Sequence, residues 1–200
     1  MTIKIYVEGG GDNKDTIARC KQGFAEYCKK IAPAKQQPKI IACGGRDQAF
    51  TRFKTAVQNG KAGESCALLV DSEGPVRPDS PPAIYLQTHD GWNFAHLPGH
   101  QVFLMVQAME AWFLADRNAL IAYYGAAFRP NALPGDERHI ETISKDDLEP
   151  CLVNASRATK TKGSYHKTRH AFALLAEINP DKVAAASSHA AALHNFIRSQ

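Results

Sequence analysis

Three short apolar runs, each released into glycine or an acid, constrain this chain more than any other feature. Ile3, Ile5 and Val7 alternate with Lys4 and Tyr6 and lead to Glu8-Gly9-Gly10-Gly11. Ile40-Ile41-Ala42-Cys43 leads to Gly44-Gly45, and Ala67-Leu68-Leu69-Val70 leads to Asp71-Ser72-Glu73-Gly74. Between the runs the apolar residues take helical spacing: Ile17, Phe24, Tyr27, Cys28 and Ile31, then Ala49, Phe50, Phe53 and Val57. Strand–helix–strand–helix–strand of this length requires crossover connections, so the pattern predicts an α/β fold with a parallel sheet flanked by helices. Pro33 and Pro38 close the first helix, predicted over 14–31.

The rest of the chain is less regular. Five prolines between Gly74 and Gly99 predict a surface loop. Val102–Val106 reads as a fourth strand, followed by a helix through Met109–Ala115. Beyond Pro134 the pattern is helical and Ala-rich, with breaks near Gly163 and Asn179-Pro180. The expected organisation is an α/β core over 1–125 and a helical carboxyl-terminal extension over 126–200, packed on that core. At 200 residues the chain is long enough to bury a core without disulfides or a structural metal. Its five cysteines form no C-x-x-C pair. That argues for reduced thiols and a cytoplasmic setting. No apolar run reaches the ~20 residues of a membrane span, and the start reads as a strand, not a signal peptide.

In parallel sheets ligands bind outside the carboxyl ends of the strands. Here those ends carry Glu8, Asp71 and Glu73. If strands one and three are neighbours, the three carboxylates converge, with residues 71 and 73 on one face if strand geometry persists. Clustered carboxylates repel unless a cation neutralises them, and hard Mg²⁺ (or Mn²⁺) suits oxygen ligands. Such an ion supports displacement at phosphorus. Glu110, among Met109, Trp112, Phe113 and Leu114, needs a partner if buried. It faces either the acid cluster or an arginine such as Arg46. Asp116 reads as the N-cap of a helix from Arg117, and Asp12 and Asp15 as helix-start acids, with outer metal ligands as the alternative. The Gly9–Gly11 run is not a phosphate loop, because no G-x-x-x-x-G-K-[ST] is present and Lys14 stands where a G-x-G-x-x-G needs glycine.

Net charge is +4, and much of it lies between Glu149 and Glu177, where no acid occurs. Lys162, Tyr165, Lys167 and Arg169 there suit phosphate contacts and base stacking, with a solvated basic loop as the bland alternative. The His96–His100 and His166–His170 spacings lack a third soft ligand for zinc. No G-x-S-x-G elbow supports a serine hydrolase.

Val-Glu-Gly at 7–9 and Leu-Val-Asp-Ser-Glu-Gly at 69–74 resemble the Toprim fold of primases, topoisomerases and OLD-type nucleases. That fold carries a Glu after the first strand and a D-x-D pair after the third. The second acid here is Glu73, a departure that lengthens one arm of the pair. The chain is also similar, nearly end to end, to a family of small bacterial proteins of unknown function. The shared motifs are Val-Glu-Gly-Gly at 7–10, Cys-Gly-Gly-Arg at 43–46, Leu-Val-Asp-Ser-Glu at 69–73, Met-Glu-Ala-Trp-Phe-Leu-Ala-Asp at 109–116 and Lys-Gly-x-Tyr-x-Lys at 162–167. The resemblance implies a Toprim-like sheet and a Mg²⁺-dependent nuclease. Glu8, Asp71 and Glu73 would be metal ligands, and Glu8, Asp71 and Glu110 catalytic carboxylates. It also implies a companion ATPase in a phage-defence assembly, with homo-oligomerisation left open. The rival reading is an inactive Toprim-like subunit that docks on the ATPase.

Overall fold

The computed structural model describes residues 2–32, 34–60 and 62–199; Pro33, expected to close the first helix, lies outside them. The chain forms β1 (Thr2–Val7), α1 (Lys14–Lys29), β2 (Lys39–Ala42), α2 (Arg46–Gln58), β3 (Glu64–Asp71), α3 (Pro82–Asp90) and β4 (Val102–Met105). Helices follow: α4 (Glu110–Leu114), α5 (Arg117–Tyr124), α6 (Lys145–Ser156), α7 (Lys167–Glu177), α8 (Pro180–Ala186) and α9 (Ser188–Arg198). All sheet pairings are parallel, in the order β2-β1-β3-β4. The α/β fold and the helical carboxyl-terminal region are as the sequence predicts.

The sheet is buried on both faces, and side-chain alternation decides which residue goes where. Ile3, Ile5 and Val7 of β1, Ala67 and Leu69 of β3, and Phe103 and Met105 of β4 join one apolar cluster with Phe24, Tyr27, Trp112 and the carboxyl-terminal helices. Tyr6, Leu68, Val70, Val102 and Leu104 point the other way, onto Phe53 of α2 and Leu86 of α3. Each fully buried large apolar side chain contributes about 1.5–3 kcal/mol. The nearly unbroken apolar run of β3 follows, because both of its faces are covered.

Element ends have local causes. The Asn13 carboxamide oxygen accepts from the amides of Asp15 (2.8 Å) and Thr16 (3.4 Å) to start α1. Asn179 and Ser187 cap α8 and α9 in the same way. The stretch 74–99, expected to be loop throughout, contains α3. Pro81 and Pro82 occupy its N-cap and first helical position, where proline is favoured, and Gly91 ends it at φ 71°. These prolines start a helix here instead of marking a surface loop.

From β1 the chain moves to β2 on one side, then crosses back through α2 to β3 on the other side. Strand order therefore reverses between β1 and β3. The crevice at their carboxyl ends is the topological switch point, where such sheets bind ligands.

Candidate metal centre

Glu8 and Asp71 leave adjacent strands at that switch point, where β1 and β3 pair through Val7 and Leu69. Glu8, Asp71 and Glu73 each bring a carboxylate oxygen within 4.8 Å of the others. The sequence-derived cluster is thus assembled, although Glu73 arrives by a different route. The strand stops at Asp71, and Glu73 has φ 65°, a left-handed conformation. Its amide donates to the Gln107 carbonyl at 2.9 Å, which ties the turn to the segment after β4.

Asp71 is only 7% exposed. Its Oδ1 accepts from the Met109 amide at 2.8 Å, and its own amide donates to Glu8 Oε2 at 3.1 Å. Burial, then the charges of Glu8 and Glu110, push its carboxyl well above the usual range, with Lys167 partly opposing. Burial also raises Glu8, against the pull of Arg46. Three converging carboxylates, two of them disfavoured as free anions by burial, form the oxygen donor set a hard divalent cation fits.

Arg46 holds one flank. It begins α2, grips Asp90 by Nε and Nη2 at 2.8 Å each, reaches Glu8 Oε2 at 3.4 Å and donates to the Asp71 carbonyl. Its guanidinium lies 5.1 Å from the Trp92 ring centre. Burial opposes the Arg46 charge, but the Asp90 hydrogen bonds and the Asp90 and Glu8 charges prevail, so its pKa rises. Asp90 moves down: burial opposes ionisation, and the Arg46 hydrogen bonds outweigh it. Lys145, at the start of α6, pairs with Glu73.

Glu110 takes neither Arg46 nor a direct place in the three-acid cluster. It is 3% exposed, and its Oε1 accepts from Tyr165 Oη at 3.1 Å and from Lys167 Nζ at 3.2 Å. Its Oε2 is buried without a hydrogen-bond partner. Arg46 is instead committed to Asp90, Glu8 and the Asp71 carbonyl. Lys167 is half-exposed; burial lowers its pKa, but the Glu110 and Asp71 charges prevail and raise it.

The other basic-segment residues diverge. Tyr165, expected to stack on bases, is 3% exposed and committed to Glu110. Burial and Glu110 push its phenol up, out of reach of ionisation. Lys162 lies over the Tyr123 ring, 4.5 Å from its centre. Arg169 is exposed on α7. Asp116 does precede α5, but makes no side-chain cap there. It accepts instead from the Asn179 amide (3.0 Å) and Lys182 Nζ (2.5 Å), so it anchors α8. Asp15 sits in the first turn of α1, as a helix-start acid should.

Asp90 and Lys145 escape sequence reasoning. Asp90 ends a helix inside the stretch read as loop, and Lys145 is one lysine in a solvent-facing first turn. Neither carries a local signal.

A cavity of about 400 Å³ opens beside the acids, with Glu8 and Asp71 in its wall and Lys167 at its edge. The glycine loop forms another wall. A Cβ on Gly10 would stand 2.8 Å from Ile17 Cα, so the loop lies against α1 with no room for a side chain. Gly9 and Gly44 exchange backbone hydrogen bonds of 2.8 and 3.0 Å, which fix the loop to the end of β2.

The chain belongs to a family of unknown function: residues 7–198 match the domain of unknown function DUF4276. No curated protein and no solved structure matches it. No helix among the described residues is long and apolar enough to cross a membrane.

Proposed function

We propose that this chain is a divalent-cation-dependent phosphodiester hydrolase acting on nucleic acid, with a Toprim-like site. The observation that carries the reading is the convergence of Glu8, Asp71 and Glu73 within 4.8 Å at the switch point of a parallel sheet. These three residues would hold Mg²⁺ or Mn²⁺, which when bound supplies charge neutralisation and an activated water. Lys167 would bind a non-bridging phosphate oxygen and offset charge that develops there. Glu110 and Tyr165 would hold Lys167 in position, and Arg46 would orient Glu8 through its grip on Asp90. The family resemblance adds the proposal that the chain works beside a companion ATPase in a cytoplasmic phage-defence assembly.

A second reading has an observation of its own. Glu8 and Glu73 already pair with Arg46 and Lys145. Acids satisfied by internal cations suit a non-cutting subunit that docks on the ATPase. Asp71→Asn separates the readings. Single-stranded DNA, duplex DNA and structured RNA are incubated with the chain and its partner ATPase in Mg²⁺, Mn²⁺ or chelator. The enzyme reading expects metal-dependent cleavage that falls by orders of magnitude in the variant. Absence of cleavage by wild type, with cell protection intact in Asp71→Asn, assigns the chain to the binding role.

A further inference from the structure

The cavity shares Glu8 and Asp71 with the acid cluster, but its floor is apolar. Met105, Met109 and Phe172 line it, and Lys167 stands at the edge. A site that handled only phosphate and a cation would need no such floor. At about 400 Å³ the cavity lies within the roughly 300–1,000 Å³ typical of small-molecule pockets. Methionine side chains adapt to flat rings and make favourable sulfur–aromatic contacts, and a phenyl ring offers a stacking surface to any base.

Glu8, Asp12 and Asp71 line one part of the cavity, so an anion is favoured on its Lys167 side and with a cation on Glu8 and Asp71. Helices α1 and α7 run parallel. Thr16 and Thr168, near their starts, both line the cavity; Gly23 backs onto Phe172; and Lys30 Nζ reaches the carbonyls of Ala176, Glu177 and Ile178. Both helix N-termini therefore open at the cavity, with the Asp15 and Thr16 amides of α1 already taken up by the Asn13 side chain. The His166 side chain does not cap α7. Lys167 adds a full charge there.

We infer that the cavity receives one unpaired nucleotide, its base on Met105, Met109 and Phe172 and its phosphate toward Lys167 and the acid cluster. This rests on the phosphodiesterase reading and narrows its substrate class to single strands and unpaired ends. A base can enter such a cavity only after leaving the helical stack, and an already unpaired base does so at least cost.

The test uses the full chain with Mn²⁺ and three probes: thymidine 5′-monophosphate, deoxyribose 5-phosphate and inorganic phosphate, compared by calorimetry. The nucleotide is expected to bind about tenfold or more tightly than the sugar phosphate, the low end of what base stacking contributes. Phe172→Leu keeps an apolar side chain against Gly9 and Gly23. It is expected to lose most of that preference while inorganic phosphate binds as before. Equal binding of the nucleotide and sugar phosphate, or no binding of any probe, overturns the inference without the variant having to fold. Cleavage of a covalently closed duplex as fast as a single strand also overturns it, while leaving the phosphodiesterase reading intact. Nucleotide preference in a chain that cuts nothing sustains the cavity assignment and removes the hydrolase.

Discussion

Replacing Asp71 by Asn should stabilise the metal-free protein. Asn keeps the shape and the acceptor that receives the Met109 amide, and removes one buried charge. Asp71 lies within 4.8 Å of Glu8 and of Glu73, so each repulsion is worth about 3 kcal/mol at an effective dielectric near 20. Lys167 opposes this, and the raised Asp71 pKa means that proton uptake already relieves part of it. A net gain of about 1–2 kcal/mol remains. At roughly 2–4 °C per kcal/mol for a chain of this size, the Tm should rise by about 2–8 °C in chelator. Mn²⁺ should reverse the order. A ligand at a hundred times its Kd adds about 2.7 kcal/mol to wild type, whereas the variant lacks one of the three ligating carboxylates. Thermal melts of both proteins, with chelator and with Mn²⁺, read the four values. A variant that melts several degrees lower in chelator, together with a wild type indifferent to Mn²⁺ and Mg²⁺, would refute the reasoning. It would mean that Arg46, Lys145 and Lys167 neutralise the acids fully.

Burial, with Arg198 adding to it, pushes His194 down to about 4 from 6.5. The unfolded chain therefore binds more protons between those values, and stability is complete above pH 6.5 and falls as pH drops toward 4. The slope reaches at most about 1.4 kcal/mol per pH unit, and denaturant unfolding should show it in wild type and lose it in His194→Gln. Gly10→Ala should cost folding yield, because φ is 90° and the new Cβ would meet Ile17 Cα at 2.8 Å; Gly11→Asn, at φ 53° in open space, should change stability by less than about 1 kcal/mol. Arg46→Met should cost about 2–4 kcal/mol by stripping Asp90 and Glu8 of their buried cation, read as a lower urea midpoint at unchanged slope.

The strands and their order of use were legible because period-two alternation and terminal glycines are local signals. Glu8 and Asp71 followed from them, since a residue just past a parallel strand has few places to go. Glu73 was legible as a member of the cluster but not in its geometry: a left-handed residue after a strand leaves no trace when it is glutamate. Helix α3 was hidden because proline has opposite meanings at the start and in the middle of a helix. The partners of Glu110 needed tertiary information. Composition offered arginines and lysines alike, and only the parallel packing of α7 on α1 decides that Lys167 and Tyr165 arrive there. The same packing removes Tyr165 from the surface, so the acid-free basic segment divides into a site lysine, a buried tyrosine and an exposed arginine.

That packing also explains why the helical region cannot be incidental to the site. The sheet alone supplies carboxylates and a helix N-terminus, which together hold a cation but present little to a phosphate. Helix α7 contributes the ammonium of Lys167, a second N-terminus and the ring of Phe172, all within one turn or two of its start. Gly23 admits this helix: a Cβ there would come within 2.5 Å of the Phe172 carbonyl oxygen. A single methyl group at position 23 should therefore push α7 off α1 and separate Lys167 from Glu110 while leaving the sheet and its acids in place. The carboxylate cluster and the cation that complements it thus depend on a close helix contact in which Gly23 touches neither of them.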